Sequence, residues 1–101
     1  MALTVALLVI SGSAVAEPST ERQGQLMHLL KQDCGSCHGL TMRGGLGPAL
    51  LPGSLRGKDE GALVSIILDG VPGTPMPPWR FELDNDDAVW LLRQLAQGIS
   101  P

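Results

Sequence analysis

The sequence predicts an all-α fold, with three main helices and Gly/Pro-rich loops in a single domain. Apolar residues recur at helical spacing in three stretches, each bracketed by residues that cap helices. The segments between them are too rich in Gly and Pro for regular structure. No stretch alternates as a half-buried strand does, and no internal repeat is present. At 101 residues the chain has the length of one domain.

The first helix is expected from Ser19 or Thr20 to Asp33. Both are good N-caps, and Glu21 lies where the helix dipole favours an acid. Leu26, Leu29 and Leu30 form its apolar face. The segment from Gly39 to Gly57 then holds Gly39, Gly44, Gly45, Gly47 and Gly53, with Pro48 and Pro52. No regular element is expected there, and a long loop of this kind in a small domain is functional more often than not. The second helix is expected from Lys58 to Asp69, with Asp59 and Glu60 at its start and Gly70 as the stop. Leu63, Ile66, Ile67 and Val64 are its candidate core residues. The next loop, VPGTPMPPWRFEL, carries Pro72, Pro75, Pro77 and Pro78. It lacks N–H donors and is stiff, so it is neither helix nor central strand. The third helix is expected from Asn85 to Gln97, capped by Asp84 with Asp87 three residues on, and ended by Gly98. Val89, Trp90, Leu91, Leu92 and Leu95 supply its inner face.

The opening stretch, MALTVALLVISGSAVA, is uncharged, mostly apolar and short for a bilayer span. It ends in Ala14-Val15-Ala16, a small-x-small pattern that signal peptidase cuts. Residues 1–16 therefore read as a signal peptide and residues 17–101 as the domain, exported to the periplasm. No Lys or Arg precedes the apolar run, which leaves an uncleaved anchor as the competing reading. The net charge of −3 argues against nucleic acid as a partner. Acidic residues concentrate from Glu82 to Asp87, whereas the basic ones are scattered. Trp79, Phe81 and Trp90 are the only aromatic residues. A core this poor in large side chains needs a staple or a bound body to fill its centre.

That body is indicated by Cys34-Gly35-Ser36-Cys37-His38. C-x-x-C-H is the attachment sequence of c-type haem. Two thiols add to the two vinyl groups of one porphyrin, and the next residue falls beneath the iron, where an imidazole ligates it. The same residues admit a thioredoxin-type dithiol, half of a zinc site or a plain disulfide. No βαβ pattern surrounds the motif, and the chain has only two Cys and two His. The adjacent His, the export signal and the Gly/Pro loops favour one haem c, held covalently through Cys34 and Cys37. His38 is then one iron ligand. The candidates for the other are Met27, Met42, Met76 and His28. Met76 is favoured because it lies 38 residues beyond His38 in a proline-stiffened loop that can reach the opposite haem face. A metal-bound His gives its second ring N–H to an acceptor, and the Pro48 carbonyl can serve, although an ordinary loop proline accounts for Pro48 equally well. No general base or open coordination position points to catalysis, so no catalytic residue is expected.

The order C-x-x-C-H, then Gly47-Pro48-Ala49-Leu50, then a proline-flanked Met76 resembles the class I monohaem cytochromes c over residues 19–98. That resemblance implies first and last helices crossing at one haem edge, His38 and Met76 as axial ligands, and Pro48 as the acceptor for His38. The segments DCGSCHGL, GGLGPALLP and PGTPMPPW are similar to the NirC-type small periplasmic cytochromes c of denitrifying bacteria. Those proteins accompany the haem cd-type nitrite reductase. This implies a monomeric electron carrier whose redox partner is the nitrite reductase, or a protein of the maturation of its special haem. A haem-based sensor is the remaining alternative. Many class I members have Gly eight residues and an aromatic four residues before the first Cys. Here Leu26 and Leu30 stand there, which predicts a looser or shifted helix crossing. Lys31, Arg43 and Arg80 are candidates for a weakly positive rim at the attachment edge, although ordinary solvated surface charge accounts better for any one of them.

Overall fold

The computed structural model describes residues 1–9 and 16–99. Among them it is helical without a strand. The helices are α1 (Thr20–Leu29), α2 (Gly35–His38), α3 (Pro52–Leu55), α4 (Glu60–Asp69) and α5 (Asn85–Gln97), with a π-helical turn, Leu30–Cys34, joining α1 to α2. Residues 1–9 are exposed and form no regular element. Ala14 and Val15 of the expected cleavage pattern lie outside the described residues.

Capping explains the helix starts. The Ser19 hydroxyl accepts the Arg22 N–H at the start of α1. Asp59 accepts the Ala62 N–H at 2.9 Å, so α4 begins at Glu60 and not at Lys58, which lies in the turn made by Gly57. Asp84 accepts the Asp87 N–H at 2.8 Å while Asp87 accepts the Asp84 N–H at 3.2 Å, a reciprocal capping box for α5. The short α3 corrects the expectation of an irregular 39–57 loop. Leu51 is extended, as the residue before a proline prefers, and Pro52 opens the turn with its fixed φ and no orphan N–H.

One core joins these elements. Leu26, Leu29 and Leu30 of the first helical run share it with Val64 and Leu68 of α4 and with Ala88, Val89, Trp90, Leu91, Leu92 and Leu95 of α5. Leu26 and Leu30 are fully buried, so the positions expected to loosen the terminal-helix crossing are filled by core leucines. On α4 the buried pair is Val64 and Leu68, one helical turn apart, and Ile66 is 41% exposed. This corrects the expected face: α4 packs on α5, and that contact selects the i, i+4 pair, turning Ile66 outward.

Arg22 ties the two ends of this core together. Its guanidinium lies 2.9 Å from the Asp87 carboxylate and donates to the Glu82 carbonyl at 2.8 Å. The N-terminal turns of α1 and α5 are thereby linked across 65 residues of sequence.

Candidate functional site

The site begins with a change of helical type. After α1 the chain widens into the π turn, in which the Gly35 N–H reaches back to the Leu30 carbonyl. The wider turn takes up about one extra residue and rotates the cysteine segment by roughly 100° relative to a continued α-helix. Leu26, Leu29 and Leu30 face the core and Cys34 packs against it, while Cys37 and His38 stay partly exposed. Gly35 is buried, and a Cβ there would touch Leu40 at 3.5 Å. The Ser36 hydroxyl donates to the Asp33 carbonyl at 2.7 Å and steadies the short turn between the cysteines.

The glycine-rich loop is folded onto the end of this turn. Gly39 leaves the helix at φ +91°, the Gly44 N–H donates to the His38 carbonyl, and the Gly47 N–H donates to the Cys37 carbonyl, both at 2.8 Å. Gly47 lies flat on the His38 ring: a Cβ there would stand 2.8 Å from Cε1 and 2.9 Å from Nδ1. The next residue supplies the ring's polar partner. His38 Nδ1 lies 2.7 Å from the Pro48 carbonyl oxygen. A carbonyl only accepts, so Nδ1 is the donor, and in the neutral ring the lone pair is then on Nε2.

The other candidate ligands have different surroundings. Met42 is in the core at φ +60°, its N–H bonded to the Gly39 carbonyl and its carbonyl to the Leu50 N–H. Met27 packs against the core and His28 is exposed on α1. Met76 is half-buried in the proline-rich loop. That loop is pinned to α4 by the Trp79 N–H on the Ile67 carbonyl and the Arg80 N–H on the Leu68 carbonyl, at 3.0 and 3.1 Å.

Burial, reinforced by the Asp33 carboxylate, pushes the Cys34 thiol up to about 11. A neutral first thiol is a poor nucleophile, which opposes the dithiol-redox reading. Both thiols are free, and among the described residues no three His, Cys, Asp or Glu side chains converge as a metal site. A haem suits the groups that are present. Beyond residue 16 the large apolar side chains left exposed are Leu40, Leu46, Leu51, Ile66, Val71 and Phe81, and all but Phe81 lie between His38 and Met76. The segment of sequence between the two expected ligands is therefore rich in apolar surface without a partner, which an apolar plate could cover.

Residues 21–93 match the family described as cytochrome c oxidase, cbb3-type, subunit III. The chain belongs to the c-type cytochromes. This cytochrome is 55% identical over 98 residues to cytochrome c55X of Pseudomonas aeruginosa, covering 97% of this chain and 82% of that one. It is 51% identical over 90 residues to cytochrome c55X of Paracoccus denitrificans, covering 88% and 87%. A solved c-type cytochrome NirC superposes with a TM-score of 0.78 at 59% identity, over 79% of this cytochrome and 94% of that chain. The dihydro-heme d1 dehydrogenase of Pseudomonas aeruginosa is 39% identical over 70 residues, which is 69% of this cytochrome and only 14% of the dehydrogenase. The fold is thus that of a small cytochrome c related to NirC. Membership implies haem c and an electron carrier rather than an enzyme.

Sequence reasoning missed the π turn, and it missed the charge pairing. Arg80, expected on a positive rim, is held by Asp69 at 2.8 Å. Arg93 is likewise held by Glu60 at 3.1 Å. Lys31 and Arg43 have no ion pair among the described residues. No described helix is long and apolar enough to cross a membrane.

Proposed function

We propose that this cytochrome is a periplasmic one-electron carrier that delivers electrons to a nitrite reductase in denitrification. Cys34 and Cys37 hold one haem covalently, His38 and Met76 ligate its iron, and residues 1–16 are the export signal. A haem held by His38 and Met76 would supply one-electron transfer with little rearrangement.

The observation that carries the reading is the 2.7 Å contact between His38 Nδ1 and the Pro48 carbonyl, made on a ring already packed by Gly47. It orients the imidazole and makes Nδ1 the donor, which leaves Nε2 of the neutral ring as the atom that would ligate the iron. The clamped 70–80 loop holds the Met76 side of the site stiff. The surface beside Cys34 and Cys37 would be the docking face, in a small, transient contact with the partner. The kinship with NirC supports the choice of partner. Mixing the reduced protein with haem cd-type nitrite reductase and nitrite tests it: the reading expects the haem to be oxidised at a rate that rises with reductase concentration. Absence of oxidation contradicts it.

One observation favours a second reading. Part of a dihydro-heme d1 dehydrogenase resembles this chain. A dehydrogenation releases two electrons and two protons, and a one-haem protein accepts the electrons one at a time in two encounters. On that reading the cytochrome serves the making of the reductase's special haem. Deletion of the gene separates the two: reductase lacking its special haem supports the maturation role, and fully loaded reductase starved of electrons supports the donor role.

A further inference from the structure

The loop bearing Met76 closes on itself through one hydroxyl. The Thr74 side chain donates to the Val71 carbonyl at 2.7 Å and accepts the Met76 N–H at 3.3 Å. Two backbone bonds share the ring: the Thr74 N–H reaches the Val71 carbonyl at 3.1 Å and the Val71 N–H reaches the Met76 carbonyl at 3.2 Å. Pro72, Pro75, Pro77 and Pro78 have no N–H to offer, so the Met76 amide is a rare donor here, and Thr74 Oγ1 takes it. Gly70 forms the floor. At φ +68° its backbone passes so close that a Cβ would stand 2.7 Å from the Met76 carbonyl oxygen and 2.8 Å from the Pro78 nitrogen.

We propose that Thr74 is the positioning residue of the Met76 ligand: its hydroxyl bridges Val71 and Met76 and holds the thioether in place, setting how slowly the sulfur leaves the iron. The proposal rests on the assignment of Met76 as a haem ligand. A hydroxyl both donates and accepts, so no apolar isostere replaces it, whereas serine does. Without the bridge the Met76 amide turns to solvent and the tie between it and Val71 is lost. The loop then opens more often.

The test is the limiting rate at which imidazole replaces the native ligand in the ferric holoprotein, a rate governed by departure of the sulfur. Thr74→Val is expected to raise it roughly five- to tenfold, the worth of one hydrogen bond. Thr74→Ser is expected to stay near the wild-type rate. A Thr74→Val rate equal to wild type overturns the proposal, as does a Thr74→Ser rate as fast as that of Thr74→Val. Met76→Ala separates this from failure of the underlying assignment. Loss of the near-infrared sulfur-to-iron band in that variant supports the ligand, and its survival overturns the ligand assignment and the proposal with it. The wild-type protein gives a check that needs no variant to fold: amide exchange at Met76 should be slowed, and unprotected exchange there overturns the bridge.

Discussion

The Arg22 guanidinium in α1 and the Asp87 carboxylate in α5 meet at 2.9 Å, and the same carboxylate accepts the Asp84 N–H in the capping box of α5. Asp87 is 6% exposed, the one charged residue in the buried core of the described chain. Burial alone would raise its pKa, but the hydrogen bonds from Arg22 and from the Asp84 backbone outweigh it and hold the carboxyl below its ordinary value. A pKa depressed by folding adds stability that is fully present above the unfolded value of about 3.9 and is lost as pH falls through the folded value. Asp87→Asn should cost about 1–2 kcal/mol at pH 7, the worth of the charge-assisted bonds from Arg22, since asparagine still offers an acceptor to the Asp84 N–H. It should also flatten the loss of stability below about pH 4. Guanidinium unfolding of both proteins across that range is the check.

Gly47 has no room for a side chain against His38. Gly47→Ala should push the ring off the Pro48 carbonyl and destabilise the protein by about 1–3 kcal/mol, the range for overpacking. A weaker Nδ1 hydrogen bond makes the imidazole a poorer donor to ferric iron, so the midpoint potential should rise. Unfolding and redox titration of one sample read both effects.

Gly70 and Gly73 give a matched pair. Both have positive φ, +68° and +78°, yet a Cβ at Gly73 meets nothing within 4 Å while one at Gly70 strikes the Met76–Pro78 backbone. Gly73→Ala should cost about 1–2 kcal/mol, the strain of a left-handed conformation. Gly70→Ala should cost more, because ψ −172° puts Gly70 in a region essentially reserved for glycine, at about 1–3 kcal/mol, and overpacking adds a further 1–3 kcal/mol or so. Equal losses in a thermal or denaturant comparison would show that the close approach is unimportant.

Features set by near neighbours in the chain were the ones legible in the sequence. The bounds of α5, Asn85–Gln97, were legible because Asp84, Asp87 and Gly98 lie within a few residues of the ends they set. The Cys34-Gly35-Ser36-Cys37-His38 motif was legible because its residues are contiguous. The π turn was not: Leu30–Cys34 has an ordinary helical composition, and its register is set by core leucines on one side and the cysteine turn on the other. Nor was the pairing of Arg22 with Asp87 or of Arg80 with Asp69, because such partners are chosen by tertiary approach. Met42 was one of four candidate ligands by composition. Its place in the core at positive φ depends on the turn from Gly39 and the bond to Leu50, which no spacing rule contains. Ile66 and Leu68 of α4 were misjudged for the same reason, since the facing helix decides which side of an apolar helix is buried.

The most direct test of the whole account is the intact mass and pyridine haemochrome spectrum of the protein recovered from the periplasm. The account predicts a chain starting at Glu17, heavier than its polypeptide by one haem, with the spectrum of a porphyrin bonded through two thioethers, and loss of that added mass when Cys34 and Cys37 are both replaced by alanine. A colourless protein with the mass of the bare polypeptide would contradict it.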